Sequence, residues 1–415
     1  MKKAKKFFRR LTGLCTAALL VVAGGVGYYQ YHLPDQFRVT AGGQLRLNQT
    51  GVTIIDAGNR KEITASALNT ANKDYQAQLM LFDMVPIKKV NVKVVEERLL
   101  VPCGTPFGIK LFTNGVVVVG VADIESEGNM INPAAVAGVR VGDIITAING
   151  EPVTQNSQVA KLIQASGGNP VQLSLKRNDE AITATLTPIL SDADASYKGG
   201  MWVRDSTAGI GTVTFYDPNT GAFGGLGHGI CDVDTNELMP LRNGEVVPVT
   251  ISGIVKGQKG RAGELRGYFS NDIPVGELKS NSEAGVYGEL RSSPVSMQAI
   301  PVAPKQEVQI GPAQIYTTVD GNSPQSYSIE IESINYQENT KIKNLVVKVT
   351  DTQLLNKTGG IVQGMSGSPI VQNGKLVGAV THVFVNDPTR GYGILAENMV
   401  EISEKTQLES EKKAS

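Results

Sequence analysis

The chain of 415 residues contains little cysteine, little histidine and few aromatic side chains. Three cysteines cannot build a disulfide framework, and nothing beyond the count points to a bond between Cys103 and Cys231. Aromatic residues make up 6% of the chain against 46 glycines, a balance that favours turn-rich β structure over helical bundles. Apolar residues at 41% and charged residues at 19% exclude a disordered chain and a polytopic membrane protein.

Most of the chain has no excess of basic charge. Lysine plus arginine and aspartate plus glutamate both number 39, and six of the basic residues lie within residues 1–10. Residues 11–415 therefore carry 33 basic and 39 acidic side chains, a net charge of −6. Nucleic-acid binding needs a basic surface, so we predict no nucleic-acid partner.

One apolar segment reaches membrane-spanning length, and it follows the basic residues directly. The uncharged run Leu11–Tyr29 would form a helix about 28 Å long, close to the hydrocarbon thickness of a bilayer. The positive flank is expected to remain cytoplasmic, which places the body on the extracytoplasmic side as a single-pass protein. Cleavage at the Val21-x-Ala23 pattern would instead make it secreted. Lipidation at Cys15 is disfavoured, because Leu14 stands where a small residue is expected.

The remaining chain divides by pattern into four segments. Residues 30–100 are predicted to form a stalk with a small β-rich region, in which residues 62–74 are at most weakly helical. Residues 101–190 have a compact pattern of strands and one short helix. Residues 191–200 are small and polar and are predicted to be a linker, and residues 201–415 form a second domain of many short strands.

Several ordered motifs mark the first of these domains. GVRVGD at residues 138–143, followed by ING at residues 148–150, is the most diagnostic, and Pro133-Ala134-Ala135 opens a small helix. With Phe107-Gly108-Ile109 upstream, the segment resembles a PDZ domain of the kind found in bacterial proteases. In that fold an extended peptide adds to a sheet edge.

The resemblance gives the peptide-binding residues. The backbone N–H groups of Phe107, Gly108 and Ile109 would hold the carboxylate of the peptide. Val159, with Leu162 or Ile163, lies on a helix near residues 156–164 and is expected to line the side-chain pocket. The alternative is that these apolar residues only fill a small core.

A second motif lies near the end of the chain. GMSGSP at residues 364–369 has the form G-x-S-G-x-P, the nucleophile loop of trypsin-like serine peptidases. Glycines let this backbone turn tightly, so that the N–H groups of Gly364 and Ser366 can point at one oxyanion. We predict Ser366 as the nucleophile. Ser368, or a loop without reactivity, is the alternative.

The residues after this loop predict a hairpin. Residues 369–371 begin a strand, Asn373-Gly374 is a strong turn signal, and residues 376–384 return as a second strand. By resemblance to trypsin-like enzymes, the returning strand pairs with substrate, so that Thr381 and His382 would line the cleft.

A nucleophilic serine needs a base, and the chain has three histidines. His32 lies at the predicted membrane exit. His382 lies in a strand, where packing in the cleft wall is the expected role. His228 lies between glycines, in an exposed and sterically permissive setting, and is predicted to be the base.

The carboxylate that orients the base is harder to select. The candidates are Asp232, Asp234, Asp272, Asp320 and Asp351. Asp232 and Asp234 are too close to His228 in sequence to face its ring easily. Asp351, at the end of a predicted strand, is the best choice, although a turn or N-cap aspartate is common at such a position.

The order of motifs resembles one peptidase family closely. The PDZ pattern, GHGICD at residues 227–232, V-x-D at residues 349–351 and GIVQGMSGSPI at residues 360–370 resemble the stage IV sporulation protein B peptidases of endospore-forming bacteria. The resemblance implies the triad His228, Asp351 and Ser366 and no cofactor.

It also implies a mainly β fold and a biological role. The expected architecture is a membrane anchor, a stalk, a PDZ domain and a trypsin-like double β-barrel or a modified form of it. Family members cleave themselves and a membrane-bound regulator of an intramembrane metalloprotease. This happens between the two membranes around the forespore and leads to activation of a late sigma factor.

Three alternatives remain from the sequence. A Cys231 nucleophile would leave the G-x-S-G-x-P motif without a role. A zinc site of His228, Cys231 and His382 would lack a fourth ligand and the usual spacing, so no metal is predicted. A non-catalytic PDZ adaptor with an inactive peptidase-like domain is the rival from another functional class.

Overall fold

The computed structural model describes residues 2–40, 45, 47, 51–56, 74–178, 180–271, 273–337 and 342–414. The candidate Asp272 and all but the last residue of the predicted weak helix at residues 62–74 lie outside the described residues.

Helix α1, Lys2–His32, begins the chain. Its segment Arg10–His32 has a mean hydropathy of 1.7 and is long enough to cross a membrane. Leu14, Leu19, Leu20 and Val21 are each between 68% and 76% exposed. An apolar helix that packs against no protein along this stretch is stable in a bilayer, or is removed as a signal sequence.

A four-stranded sheet follows α1, with the strand order β1-β4-β3-β2. Its strands are β1 Gln36–Thr40, β2 Val52–Asp56, β3 Tyr75–Leu81 and β4 Val85–Val95. Phe37, Leu79 and Val92 are fully buried in its core. Arg38 on β1 pairs with Glu397 at 3.3 Å, which attaches this sheet to the C-terminal helix of the chain.

The rest of the chain is mainly β, as predicted. Its helices are α2 Pro133–Val136, α3 Asn156–Ala165, α4 Thr352–Thr358 and α5 Ala396–Ala414. Its strands are β5 Leu99–Pro102, β6 Pro106–Val121, β7 Ile124–Ser126, β8 Asn129–Ile131, β9 Ile144–Ile148, β10 Glu151–Pro152, β11 Val171–Arg177, β12 Glu180–Leu186, β13 Ile189–Leu190, β14 Tyr197–Lys198, β15 Met201–Tyr216, β16 Ala222–Gly225, β17 Leu241–Val255, β18 Glu264–Phe269, β19 Gly276–Ser282, β20 Gly285–Leu290, β21 Ile300–Pro301, β22 Gly311–Thr317, β23 Gln325–Ile334, β24 Leu345–Val349, β25 Pro369–Gln372, β26 Lys375–Phe384 and β27 Asp387–Leu395.

Two β-barrels form the core of this region. In the first, antiparallel pairings join β6, β17, β19, β20, β16 and β15 in turn, and β15 pairs back onto β6. In the second, β22, β23, β24, β27, β26 and β25 close into a barrel. Buried apolar side chains from these strands pack in both interiors. The double barrel expected from the sequence is therefore present.

The PDZ fold lies between two strands of the first barrel. Its sheet is formed by β12, β11 and β9 together with the second half of β6, and α2 and α3 pack on its core. The expected strand at residues 171–177 and the helix near residues 156–164 are confirmed as β11 and α3. Arg177 binds the buried Asp143 through two hydrogen bonds of 2.6 and 2.7 Å, which explains the aspartate of the GVRVGD motif.

The start of the second domain differs from the prediction, and the predicted linker contains a short strand. Residues 106–113 belong to the first barrel, because β6 pairs there with both β15 and β17. The barrel therefore begins before the PDZ fold, which is an insertion within it, and not at residue 201. The predicted linker at residues 191–200 is ordered, since Tyr197–Lys198 pairs with Ile189–Leu190 as a two-stranded sheet.

Candidate active site

A cleft of about 550 Å³ lies between the two barrels. The predicted residues His228, Gly364, Ser366, Thr381 and His382 all line it, although they are separated by up to 154 positions in the chain. Strand β15 forms one wall through Thr207–Ile210. The fold thus brings together the candidate nucleophile, the candidate base and the strand expected to contact substrate.

The nucleophile loop has the backbone that its glycines predict. Gly364 and Gly367 both have φ of +96°, in the left-handed region that favours glycine. A Cβ on Gly367 would lie 2.1 Å from the carbonyl oxygen of Thr212, so this position also needs a residue without a side chain.

Two N–H groups of this loop are free to bind an oxyanion. The Met365 N–H donates to the Val362 carbonyl at 3.1 Å. The N–H groups on either side of it, those of Gly364 and Ser366, have no acceptor among the described residues. N–H groups without an acceptor beside a serine are the donors that an oxyanion site requires.

Strand β15 holds the loop in place through Thr212. The Thr212 N–H donates to the Ser366 carbonyl at 3.1 Å, and its hydroxyl donates to the Gly364 carbonyl at 2.7 Å. Its own carbonyl accepts the N–H of Leu226, two residues before His228. Sequence analysis did not find Thr212, because a threonine in a strand gives no signal of a contact made 152 positions away.

His228 is in the protonation state that a base requires. Its Nδ1 lies 2.9 Å from the Gly229 carbonyl oxygen. Because a carbonyl can only accept, Nδ1 carries the proton, and Nε2 of the neutral ring keeps its lone pair. Burial lowers the pKa of His228, while the hydrogen bond to Gly229 acts in the opposite direction. The ring is therefore neutral at pH 7.

His382 lies beside this base. The two imidazole ring centroids are 4.9 Å apart. Burial lowers the pKa of His382 to about 4, and the nearby charges of His228 and Lys343 add to the shift. Its Nδ1 is buried and has no hydrogen-bond partner within the described part of the chain. His382 is thus a neutral residue of the cleft wall, and its contact with substrate stays a prediction.

Ser366 is accessible from the cleft but is turned away from a base. Its Oγ donates to the Thr381 carbonyl at 2.6 Å. The alternative nucleophile Ser368 is fully buried and cannot meet a substrate. Of the two serines, only Ser366 can reach a peptide, after rotation about its χ1 angle.

None of the described carboxylates contacts His228. Asp351 is the N-cap of α4, and its carboxylate accepts the N–H groups of Gln353 at 2.9 Å and Leu354 at 3.0 Å. Asp232 and Asp234 both pair with Arg204. In this structure the Gly229 carbonyl occupies the place of the orienting group, and the triad role of Asp351 stays a prediction.

A separate groove of about 700 Å³ lies on the PDZ fold. The predicted Val159 and Ile163 of α3 line it, together with the loop Tyr197–Gly200 and the first residues of β15, Met201–Val203. Leu162 does not line it.

The predicted carboxylate loop is wrong. Phe107 and Ile109 lie in β6, are 3% and 2% exposed, and pack in the core of the first barrel. Gly108 pairs there with Ile210 and Val247. The strand beside α3 comes instead from the start of β15, and the glycine turn before it was visible in the sequence as YKGGMWV at residues 197–203.

A family model matches the part of the chain that contains this cleft. A sequence model of the family described as SpoIVB peptidase S55 matches residues 195–400. Over these residues the chain belongs to the SpoIVB peptidase S55 family. A PDZ-domain model matches residues 132–177, between the first two strands of the S55 double barrel.

Individual proteins resemble only parts of this S55 peptidase. It is 30% identical over 74 residues to the Regulator of sigma-E protease RseP of Salmonella typhimurium strain 14028s. That match covers 18% of this chain and spans 16% of the relative's length. The corresponding protein of Salmonella typhi matches equally.

Two solved structures resemble it in part. The PDZ domain of the SdrC-like protein of Listeria monocytogenes is 24% identical, with a TM-score of 0.19, covering 22% of this chain and 87% of that one. The HtrA-type protease AlgW with a decapeptide is 10% identical, with a TM-score of 0.29, covering 49% of this chain and 54% of that one.

Proposed function

We propose that this S55 peptidase is a membrane-anchored endopeptidase that cleaves proteins by acyl transfer through Ser366, His228 and Asp351. One observation carries the proposal. A serine, a neutral histidine with a free Nε2 and two N–H groups without acceptors converge in one cleft. These are the parts that nucleophilic catalysis on a peptide carbonyl requires.

The proposed reaction follows from these groups. Ser366 turns from the Thr381 carbonyl, gives its proton to Nε2 of His228 and attacks the peptide carbonyl. The N–H groups of Gly364 and Ser366 bind the oxyanion. His228 then protonates the leaving amine. In the second half, His228 takes a proton from water as it attacks the acyl enzyme and passes the proton to the Ser366 oxygen as the acid product leaves. Asp351 stabilises the imidazolium once its carboxylate leaves the end of α4.

Two hydrogen-bonded contacts hold Ser366 and Asp351 away from His228, in a resting arrangement. The Ser366 hydroxyl is bonded to Thr381, and the Asp351 carboxylate is bonded to the first turn of α4. Both must be exchanged before the proposed triad forms. We therefore propose that substrate, or self-cleavage, switches the peptidase on.

The proposed location and substrates rest on the resemblance and on α1. The segment Arg10–His32 would anchor the body on the extracytoplasmic side, between the forespore and mother-cell membranes. The proposed substrates are the chain itself and a membrane-bound regulator of an intramembrane metalloprotease, whose loss leads to activation of a late sigma factor. The PDZ groove would bring these proteins to the cleft.

The test is labelling of the full chain in detergent with a fluorophosphonate, followed by mass spectrometry of the modified peptide. We expect the label on Ser366, its loss in Ser366→Ala, and strongly slowed labelling in His228→Ala. The control is Ser368→Ala, which should label like the natural protein. A folded chain that stays unlabelled both before and after incubation with a random peptide library would favour the non-catalytic PDZ adaptor instead.

A further inference from the structure

The last turns of α1 lie against the four-stranded sheet that follows it. A Cβ on Gly25 would lie 3.6 Å from Cδ2 of Leu81, at the end of β3. Five residues further along α1, the Nε2 group of Gln30 donates to the Ile87 carbonyl of β4 at 2.8 Å. Helix α1 and the hairpin of β3 and β4 therefore run side by side, with the turn of the hairpin towards the start of the helix.

The position of this turn along α1 gives its depth in a bilayer. Gly25 stands fourteen positions after Leu11, the first apolar residue beyond the basic flank, and thus lies about 21 Å along the helix. The hydrocarbon core of a bilayer is about 30 Å thick. If α1 spans it, Gly25 lies within the outer leaflet. Because the turn at residues 82–84 extends past Leu81, it reaches the same leaflet.

The turn contains apolar side chains where turns in water contain polar ones. Phe82 and Asp83 have φ of +51° and +59°, and the Met84 N–H donates to the Leu81 carbonyl at 3.1 Å, as in a type I′ turn. Asparagine and glycine are preferred at the central positions, and a bulky residue with positive φ is strained. Yet Phe82 is 63% exposed and Met84 is 78% exposed. The turn geometry does not call for these side chains, and packing covers little of them.

We propose that the turn at residues 82–84 inserts into the outer leaflet beside α1 and forms a second contact between the body and the bilayer. Lipid is the partner because the turn lies against the anchor itself. The carboxylate of Asp83 limits the depth, since a charge costs most near the midplane and least among the headgroups. Phe82 and Met84 then reach the upper acyl chains. This inference rests on the proposed anchoring by α1, but it does not require peptidase activity.

A second contact would orient the catalytic domain. A single helix leaves the body free to rotate about its axis, whereas two contacts turn one edge of the sheet towards the membrane. The sheet is attached to α5 by Arg38 and Glu397, 3.3 Å apart. Met399 of α5 lies in one buried cluster with Ala379 of β26, the strand that lines the cleft. The orientation of the sheet is thereby transmitted to the second barrel.

The experiment measures the depth of single tryptophans in the full chain, reconstituted in vesicles of phosphatidylcholine and phosphatidylglycerol. Trp202 is the only tryptophan of the chain, is 68% exposed and reports on the PDZ fold. Phe82→Trp and Met84→Trp are made together with Trp202→Phe. Lipids brominated in the upper acyl chain should lower the emission of both variants about twofold or more, because an interfacial segment lies about 5–10 Å deep. The emission of Trp202 in the natural chain should stay unchanged.

Val21→Trp, also made with Trp202→Phe, is the positive control, because Val21 is 76% exposed on α1. Quenching of Val21→Trp without quenching of Phe82→Trp and Met84→Trp would overturn this inference alone. Unquenched Val21→Trp would overturn the proposed anchor, and this inference with it. Labelling of Ser366 tests the peptidase activity separately.

A matched pair of variants connects the quenching to the apolar turn. Both are made in the Met84→Trp chain. Phe82→Asn suits a positive φ but removes the ring, and should lose most of the quenching. Asp83→Asn removes the charge and should keep the quenching or increase it. If Phe82→Asn were quenched as strongly as Asp83→Asn, Phe82 would not hold the turn in the bilayer, and the proposal would be wrong.

Discussion

The catalytic cleft and the PDZ groove lie on the same strand but are built by different contacts. In the cleft, β15 fixes the nucleophile loop with hydrogen bonds to its backbone: Thr212 binds Gly364 and Ser366, and Thr214 binds Gly367 at 2.7 Å. In the groove, β15 provides an open edge and an apolar wall. On this side the cleft is therefore held by hydrogen bonds between β15 and the nucleophile loop, whereas the wall of the groove is mainly apolar.

The largest expected effect is on kcat and comes from a substitution at the proposed catalytic carboxylate. Asp351→Asn should lower kcat by about 10³- to 10⁴-fold if the carboxylate joins His228 during catalysis. Asparagine caps a helix as well as aspartate does, so α4 and the thermal unfolding midpoint should be preserved. Steady-state kinetics with a short peptide, together with calorimetry, measure the two effects separately.

The control for this variant is Asp320→Asn, since Asp320 is an exposed aspartate of the same barrel. It should leave kcat unchanged. If Asp351→Asn were as active as that control, the catalytic group would be a Ser366–His228 dyad oriented by the Gly229 carbonyl, and the role of Asp351 would be that of a helix cap.

The next prediction tests whether residues 107–109 belong to the core of the first barrel or to the peptide-binding site of the PDZ fold. Ile109 is 2% exposed in the first-barrel core. Ile109→Asp would bury a charge without a partner, which we expect to cost about 3 kcal/mol or more of folding free energy. Cleavage of a short peptide and of a protein substrate should then fall together, as measured beside the unfolding midpoint.

Ala160→Trp provides the contrast, because Ala160 is exposed on α3 and lines the PDZ groove. It should slow cleavage of a protein substrate and spare a short peptide. A selective loss of protein cleavage in a stably folded Ile109→Asp chain would return residues 107–109 to the peptide-binding site.

The two grooves also differ in how far the sequence determined them. The nucleophile loop is defined locally: glycines with positive φ and the strand–turn–strand that follows are encoded within residues 364–384, and they fold as predicted. The PDZ groove depends on which strand lies beside α3. FGI at residues 107–109 and MWV at residues 201–203 are both apolar strands that follow a glycine-containing turn, and only tertiary pairing decides between them.

Local sequence also leaves the role of the Asp351 carboxylate open. A strand-end aspartate is equally suited to cap the next helix and to orient a histidine, because both roles need only an accepting oxygen at that position. The sequence around Asp351 therefore could not decide between the two roles, and the structure shows the hydrogen bonds of a helix cap. Long-range contacts such as that of Thr212 to the oxyanion loop are likewise set by the packing of two barrels.

The smallest effect tests whether Thr212 is the positioning residue that makes the cleft rigid. Thr212→Val removes the hydrogen bond to the Gly364 carbonyl but keeps the shape of the side chain. Gly364 supplies an oxyanion N–H from the peptide unit next to that carbonyl. We therefore expect kcat to fall about 10- to 100-fold with little change in KM, since the loss is felt in the transition state.

Thr318 offers a matched control for this variant. It is 2% exposed, as Thr212 is, and its hydroxyl donates to the carbonyl of another glycine, Gly104, at 3.0 Å. Thr318→Val should lose about 1 kcal/mol of stability, like Thr212→Val, with kcat preserved. Thr212→Ser, which keeps the hydroxyl, should restore most of kcat. If both valine variants lowered kcat equally, the hydrogen bonds of β15 would stabilise the barrels without positioning the oxyanion loop.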